Sequence, residues 1–319
     1  MKLHEFYRAA VEKGIEYDPR GREGVKRYLN RVKEVYENLS DNEKKEHGEE
    51  SLVNPYADTR VLYGKRNREI TGKLLVGIDI SVGEILLADR LKEKGVDIDL
   101  VISHHPGGKA LLKFFKVMNM QADILHSYGV PINVAEDLLE DRVSEVERGL
   151  LPINVNQAPD AAKLLNVPFI CIHTPADNAV ATYLQNIMDK ERPETVDEVV
   201  KRLKAEPEFK HASQKHMEVK ILAGKPYRRA GKVFVDMTGG TQGSIKIFEK
   251  LSNAGIGTIV VMHMKASYIE EAKKQHLNVV LAGHSSSDSL GVNLILDHIC
   301  SIHPFEIIEC SGFRRFSRA

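Results

Sequence analysis

Apolar residues recur at helical spacing near the start of the chain. Val25, Tyr28, Leu29, Val32, Val35 and Tyr36 fall among many charges, which predicts amphipathic helix within residues 1–50. Ser40 to Glu50 is almost wholly polar and reads as a loop or a frayed helix end. Asn54-Pro55-Tyr56-Ala57-Asp58 has turn chemistry. The pattern changes at Leu74. Leu74 to Ile80 reads as a buried strand, and Ser81 followed by Glu84 is a capping box that predicts a helix from Val82 to Lys94. Gly95 ends that helix, and Ile98 to Ile102 is the next strand. Strand, helix and strand in this compass make a βαβ unit, hence a parallel pair with a right-handed crossover.

The second strand runs directly into Ser103-His104-His105-Pro106. Val134 to Gly149 is the clearest helix of the stretch that follows, and Val167 to Ile172 is another strand, leading into His173-Thr174-Pro175-Ala176-Asp177-Asn178. A helix is expected from Ala179 to Lys190, and Glu194 to Phe209 is amphipathic and charged. The last third repeats the α/β alternation. Lys232 to Met237 is a strand, Gly239 to Gly243 a loop, Ser244 to Asn253 a helix and Thr258 to Met262 a strand. Ser267 and Glu270 form a second capping box, Leu277 to Ala282 is a strand ending at Gly283-His284, and Leu290 to Ile299 is helical. No short-period repeat stands out. The expected fold is α/β: two lobes with mixed or parallel sheets flanked by helices, plus an N-terminal helical extension. The divisions are residues 1–70 for the extension, 71–225 for a first lobe with a helical insertion, and 226–319 for a second lobe.

Composition narrows the function. Lys plus Arg and Asp plus Glu each number 45, so no positive excess draws the chain to nucleic acid or an anionic membrane. No apolar run nears the roughly 20 residues of a membrane span, and the N-terminus lacks a signal-peptide apolar region. Three cysteines without a C-x-x-C pair read as reduced thiols in a cytoplasmic protein. Cys171 lies inside an apolar strand, which favours an inert thiol over a nucleophile.

Three histidine-bearing segments fall where a strand gives way to a loop, the edge at which open α/β sheets bind ligands. In His104-His105-Pro106 the proline enforces the strand end, where two adjacent imidazoles can serve one site. The plain alternative is that one histidine packs while the other bonds a loop carbonyl. Asp177 follows His173 by four positions and can bind metal or simply cap a helix, and His173 can equally be a ligand or orient one from behind. His284 and Asp288 repeat that spacing, with Ser287 or Asp288 as a helix cap for the bland reading. Imidazole with carboxylate suits zinc, iron, manganese or nickel. The loop Gly239 to Gly243 can cradle an anion through its amides and the following helix N-terminus, or its glycines can serve only a tight turn. It lacks the Lys-Ser/Thr ending of a P-loop. His263, at its strand end, is a further candidate for the cleft wall.

On these pieces the chain resembles the Nif-three-like family, the NGG-interacting-factor-three group often named GTP cyclohydrolase I type 2. The shared features are the double histidine before proline, the carboxylate four positions after a histidine, and a late Gly-His followed by an acid, over roughly residues 70–310. The chain departs at Asp288, where the family carries glutamate, and at Gly107-Gly108, where the family carries bulky apolar residues. The resemblance implies two divalent metal ions held by His104, His105, Asp177, His284 and Asp288. It further implies a metal-dependent hydrolase of a nucleotide or small phosphorylated substrate, with cyclohydrolase-type ring opening, in a ring-shaped homo-oligomer, commonly a hexamer. His173 or His263 would then handle protons or hold substrate, and Gly239, Gly240 and Gly243 would cradle a phosphate. The other class of reading is a metal-handling or regulatory scaffold without turnover.

Overall fold

The computed structural model describes residues 1–318. Along the chain the strands are β1 (Arg60–Tyr63), β2 (Lys73–Gly77), β3 (Ile98–Ser103), β4 (Phe169–Cys171), β5 (Lys220–Ala223), β6 (Lys232–Asp236), β7 (Ile256–Val261), β8 (Asn278–Leu281) and β9 (Glu306–Glu309). They form two sheets, ordered β1-β4-β3-β2-β9 and β5-β8-β7-β6. β1 runs antiparallel to β4 and β5 antiparallel to β8, and all other neighbours are parallel. Apart from β9, the two sheets therefore repeat one topology. The repeat reaches the chemistry: β4 leads to His173 and Asp177, and β8 leads to His284 and Asp288.

The helices that position the site are α1 (Leu3–Glu16), α2 (Gly21–Glu37), α3 (Val82–Glu93), α4 (Ile132–Leu150), α5 (Thr174–Glu191) and α6 (His284–Ile302). Strand residues alternate between two faces, and in both sheets each face is covered. Leu74, Val76 and Ile102 of the first sheet and Val233, Val235 and Val280 of the second share one core with α1, α5 and α6. Leu75, Val101 and Phe169 point the other way, onto Ile85 and Ala88 of α3. Phe234, Ile259 and Val279 pack outward with Leu139 of α4 and with Ile124 and Leu125. Burial on both faces is why these strands read as nearly unbroken apolar runs.

The middle layer is tight. A Cβ on Gly291 of α6 would lie 2.3 Å from the Ala176 carbonyl oxygen of α5. A Cβ on Gly14 of α1 would lie 2.5 Å from Pro175 Cβ. Glycine is needed at both crossings because nothing larger fits. Leu3, Phe6 and Ala10 anchor α1 in this layer, whereas α2 has a single buried residue, Val25.

Several boundaries differ from the sequence expectation. α5 begins at Thr174 and α6 at His284, so Asp177 and Asp288 lie inside their helices and cap neither. Thr-Pro and Ser-Ser-Ser look like turn chemistry, but tertiary packing overrides it: the first turn of α5 is buried throughout, and α6 is buried from Ser287 onward. Ser81 forms its capping box as expected, and so does Ser40 with Glu43, which opens a helix over Asp41–His47 in the polar stretch read as a loop or a frayed helix end. Ser267 caps nothing: its helix runs Ala266–Lys274, with Lys265 at the cap position and no side-chain bond. The helix after the glycine loop begins at Ile247, not Ser244. The four-residue strands β1, β5 and β9 were not anticipated. Among the described residues no helix is long and apolar enough to cross a membrane. Cys171 is fully buried, which pushes its thiol up to about 12.

Candidate metal centre

β3 ends at Ser103, yet the chain stays extended for two more residues. The N–H of His104 donates to the Gly77 carbonyl (3.0 Å) and that of His105 to the Ile78 carbonyl (2.9 Å). Both backbones are thus fixed beside β2, with Pro106 barring further pairing. Each imidazole is then held from behind. His104 Nδ1 donates to the Ile172 carbonyl (3.1 Å), and His105 Nδ1 donates to Asp79 Oδ1 (2.6 Å). With the proton on Nδ1, the Nε2 lone pair is free to face forward, as in metal-binding histidines.

What the Nε2 atoms face is Asp288. His104 Nε2 lies 3.5 Å from Asp288 Oδ1, while His105 Nε2 and His284 Nε2 lie 3.7 and 3.6 Å from Asp288 Oδ2. Asp177 Oδ1 is 3.4 Å from His104 Nε2. These gaps are long for hydrogen bonds. They match the edges of a coordination polyhedron, about 3.4 Å between donors when each sits ~2.1 Å from an ion. Asp288 is 1% exposed, and neither of its oxygens has a hydrogen-bond partner among the described residues. A buried carboxylate without a donor costs several kcal/mol, so this one calls for a cation. The ligand-type atoms form two triads that share Asp288: His104, Asp177 and Asp288, and His105, His284 and Asp288. Aspartate, one methylene shorter than the family's glutamate, still turns one oxygen to each triad. The residues present therefore fit metal, and these buried His and Asp groups can hold it.

Charge follows the same geometry. Burial acts to lower His104, but Asp288 and Asp177 outweigh it and hold the imidazole well above its ordinary range. His105 is lowered by burial and by its neighbours His104 and His173. Burial acts to raise Asp288, and the surrounding His104, His284 and His105 pull it below the usual carboxylate range.

The other anticipated residues fall around this cluster. His173 is buried, its ring 4.9 Å from that of His104, and its Nδ1 donates to Asp58 Oδ2 (2.8 Å). His263 is at the mouth, its ring 4.9 Å from that of His284, and burial followed by the nearby His284 lowers it. Together with the glycine loop they border a cavity of about 60 Å³ whose wall also includes His104, Asp177, His284 and Asp288. Gly239 and Gly240 have φ of +87° and +83°. The loop wraps the Gln121 carboxamide, whose Nε2 donates to the carbonyls of Gly239 (2.6 Å) and Thr241 (2.7 Å). A Cβ on Gly243 would lie 2.5 Å from Gln121 Oε1, so this glycine serves a close packing. Of these glycines only Gly240 borders the cavity. A larger groove of about 600 Å³ opens between α2 and α4, but none of the described ligand clusters lies there.

Of two further residues with evident roles, Asp58 escapes sequence reasoning and Asp79 stands out only as a lone strand-end carboxylate. Asp58 sits in the Asn54–Asp58 turn and Asp79 just past β2; only the fold brings them to His173 and His105. A carboxylate directly beyond a strand end was the one available signal, and Asp79 carried it.

No protein-family model matches the sequence, and no curated protein matches it. Solved structures do. A NIF3 superfamily protein from Sphaerobacter thermophilus superposes with a TM-score of 0.70 at 25% identity, over 81% of this chain and 92% of that chain. Reduced HcgD from Methanocaldococcus jannaschii matches at a TM-score of 0.47 and 17% identity, over 78% of this chain and 87% of its own. TTHA1606 from Thermus thermophilus matches at 0.44 and 14%, over 82% and 89%. The last two are too distant to add to the assignment. A duplicated α/β fold shared with the Sphaerobacter protein, and a His-His-Pro, His-x-x-x-Asp and Gly-His-x-x-x-Asp set that converges within it, place the chain in the NIF3 superfamily.

Proposed function

We propose that this protein is a dinuclear metal hydrolase. The observation that carries the reading is Asp288, a buried carboxylate without a hydrogen-bond donor, shared by two triads of ligand-type atoms. His104, His105 and His284 would supply nitrogen and Asp177 and Asp288 oxygen to two divalent ions, drawn from zinc, iron, manganese or nickel. Two such ions, when bound, supply Lewis-acid activation of water and of a substrate oxygen. The chain's own part is to hold and exclude. Asp79 and the Ile172 carbonyl keep two imidazoles in one tautomer. The buried side, around His104 and Asp177, closes the centre from the core, while His284 and His263 leave it open at the mouth. His263, beside His284 and not among the ligand triads, is placed to hold substrate or pass a proton.

A wall of side chains that no metal requires favours turnover over storage, which is why the hydrolase is preferred to a metal-handling scaffold. By resemblance the substrate is a nucleotide or another small phosphorylated molecule, opened in a cyclohydrolase manner, and the loop at Gly240 would meet its phosphate. The same resemblance suggests a cytoplasmic, ring-shaped homo-oligomer, commonly a hexamer. The test is formate release from GTP by metal-loaded protein, alongside a panel of phosphoesters. Turnover of one of them, lost on chelation and in a folded His105→Ala protein, is expected. Equal turnover in wild type and folded His105→Ala would remove the centre from the reaction.

A further inference from the structure

The anticipated ligands leave one buried imidazole at the cluster without a metal role. Nitrogens of His104, His105 and His173 all lie within 4.8 Å of one another. His173 is 6% exposed, and its ring stacks against His104 at 4.9 Å with Phe114 closing another side at 5.3 Å. Its Nδ1 proton is committed: Asp58 Oδ2 accepts from it at 2.8 Å and from Thr174 Oγ1 at 2.6 Å. The backbone N–H of His173 donates to Thr59 Oγ1 (3.0 Å), so ring and backbone are both gripped by one short strap. Nε2 has no hydrogen-bond partner among the described residues and is not a fully enclosed atom. His173 borders the metal cavity, and its Nδ1 also lies 3.5 Å from Asp177 Oδ2.

The strap is itself pinned. The Thr59 carbonyl accepts from Tyr7 Oη (2.8 Å) and Asn54 Nδ2 (3.0 Å), and the buried Arg60 guanidinium donates to the Tyr56 and Thr59 carbonyls at 2.6 Å each. Asp58 is fully buried, and an acid there needs a reason to be retained. A buried carboxylate behind the Nδ1 of an imidazole that borders the metal cavity repeats the Asp79–His105 arrangement at a second histidine.

We infer that His173 is a sixth ligand of the centre, giving the ion on the His104 side a further imidazole, and that Asp58 is the positioning residue that fixes its tautomer and aim. This rests on the dinuclear reading and adds to it. The set becomes four imidazoles and two carboxylates, a donor balance that favours zinc, iron, cobalt or nickel over the harder manganese and magnesium.

Cobalt(II) is the probe, because its visible absorption responds to the number and kind of donors. Wild type, His173→Gln, Asp58→Asn and Asp58→Ala full-length proteins would be loaded with cobalt, scanned, and titrated with a competing chelator, with thermal unfolding as the check on folding. His173→Gln is expected to change the visible band and weaken one of the ions by about 10–100-fold. Asp58→Ala is expected to weaken the same ion by roughly tenfold, with Asp58→Asn, which keeps an acceptor oxygen, recovering part of the loss. If Asp58→Ala fails to fold, His173→Gln and Asp58→Asn carry the test. Wild-type loading with an unchanged band and affinity in His173→Gln overturns the sixth ligand and leaves the five-ligand centre standing. A wild type that binds no cobalt overturns the dinuclear reading and this inference with it.

Discussion

Asp236 closes β6 with a carboxyl group that no described residue hydrogen-bonds, and burial alone pushes it up to about 6. An unfolded aspartate titrates near ~3.9. The native state therefore binds this proton more tightly than the unfolded chain does. Stability falls as pH rises between those two values, and the cost is complete above the higher one. Asp236→Asn is accordingly expected to stabilise the protein by about 1–2 kcal/mol at pH 8 and hardly at all near pH 4, allowing for partial solvent access. Urea unfolding of metal-stripped protein at the two pH values reads this directly. An equal gain at both would trace the effect to packing instead of charge. At this scale the sequence was a good guide to donors and a poor one to what orients them. His104-His105-Pro106 announces itself by position, because adjacent histidines make chemical sense only at a strand end. Asp58 and Asp79 reach their histidines across 115 and 26 residues, and no local pattern reports such a meeting.

The elements that matter most are α5 and α6, whose first turns carry Asp177 and Asp288 and whose crossing passes over Gly291. Adding a single methyl there meets backbone, which cannot rotate away. Gly291→Ala should therefore cost about 1–3 kcal/mol of stability. It should also weaken metal binding, since spreading the helices separates Asp177 from Asp288. Thermal unfolding with and without added zinc checks both; a variant that melts and binds like wild type would show that the two helices do not set the ligand spacing. The central strands were legible because double-sided burial writes continuous apolar runs. The starts of α5 and α6 were not. Thr174-Pro175 and Ser285-Ser286-Ser287 carry turn chemistry, yet both are helical: Thr174 and Pro175 are buried, whereas in the second the burial begins only at Ser287. β1, β5 and β9 are four residues each and sit at sheet edges, too short for periodicity to separate from loop.

At the scale of the molecule, the candidate centre lies between two sheets of repeated topology. Each half offers a parallel sheet edge and a helix bearing His-x-x-x-Asp or its immediate approach, and neither half alone completes the ligand cluster: His104, His105 and Asp177 come from one, His284 and Asp288 from the other. The repeat shows in strand order and in the His-x-x-x-Asp spacing that follows β4 and β8. Assembly from both halves explains why the ligands lie so far apart in the chain. The central claim, that these residues hold metal, is tested most directly by elemental analysis of purified wild type and a His104→Ala/His105→Ala double variant. About two ions per chain, falling sharply in the double variant, is the expected result. No metal in wild type even after reconstitution with zinc, iron or manganese, or equal metal in both proteins, would contradict it.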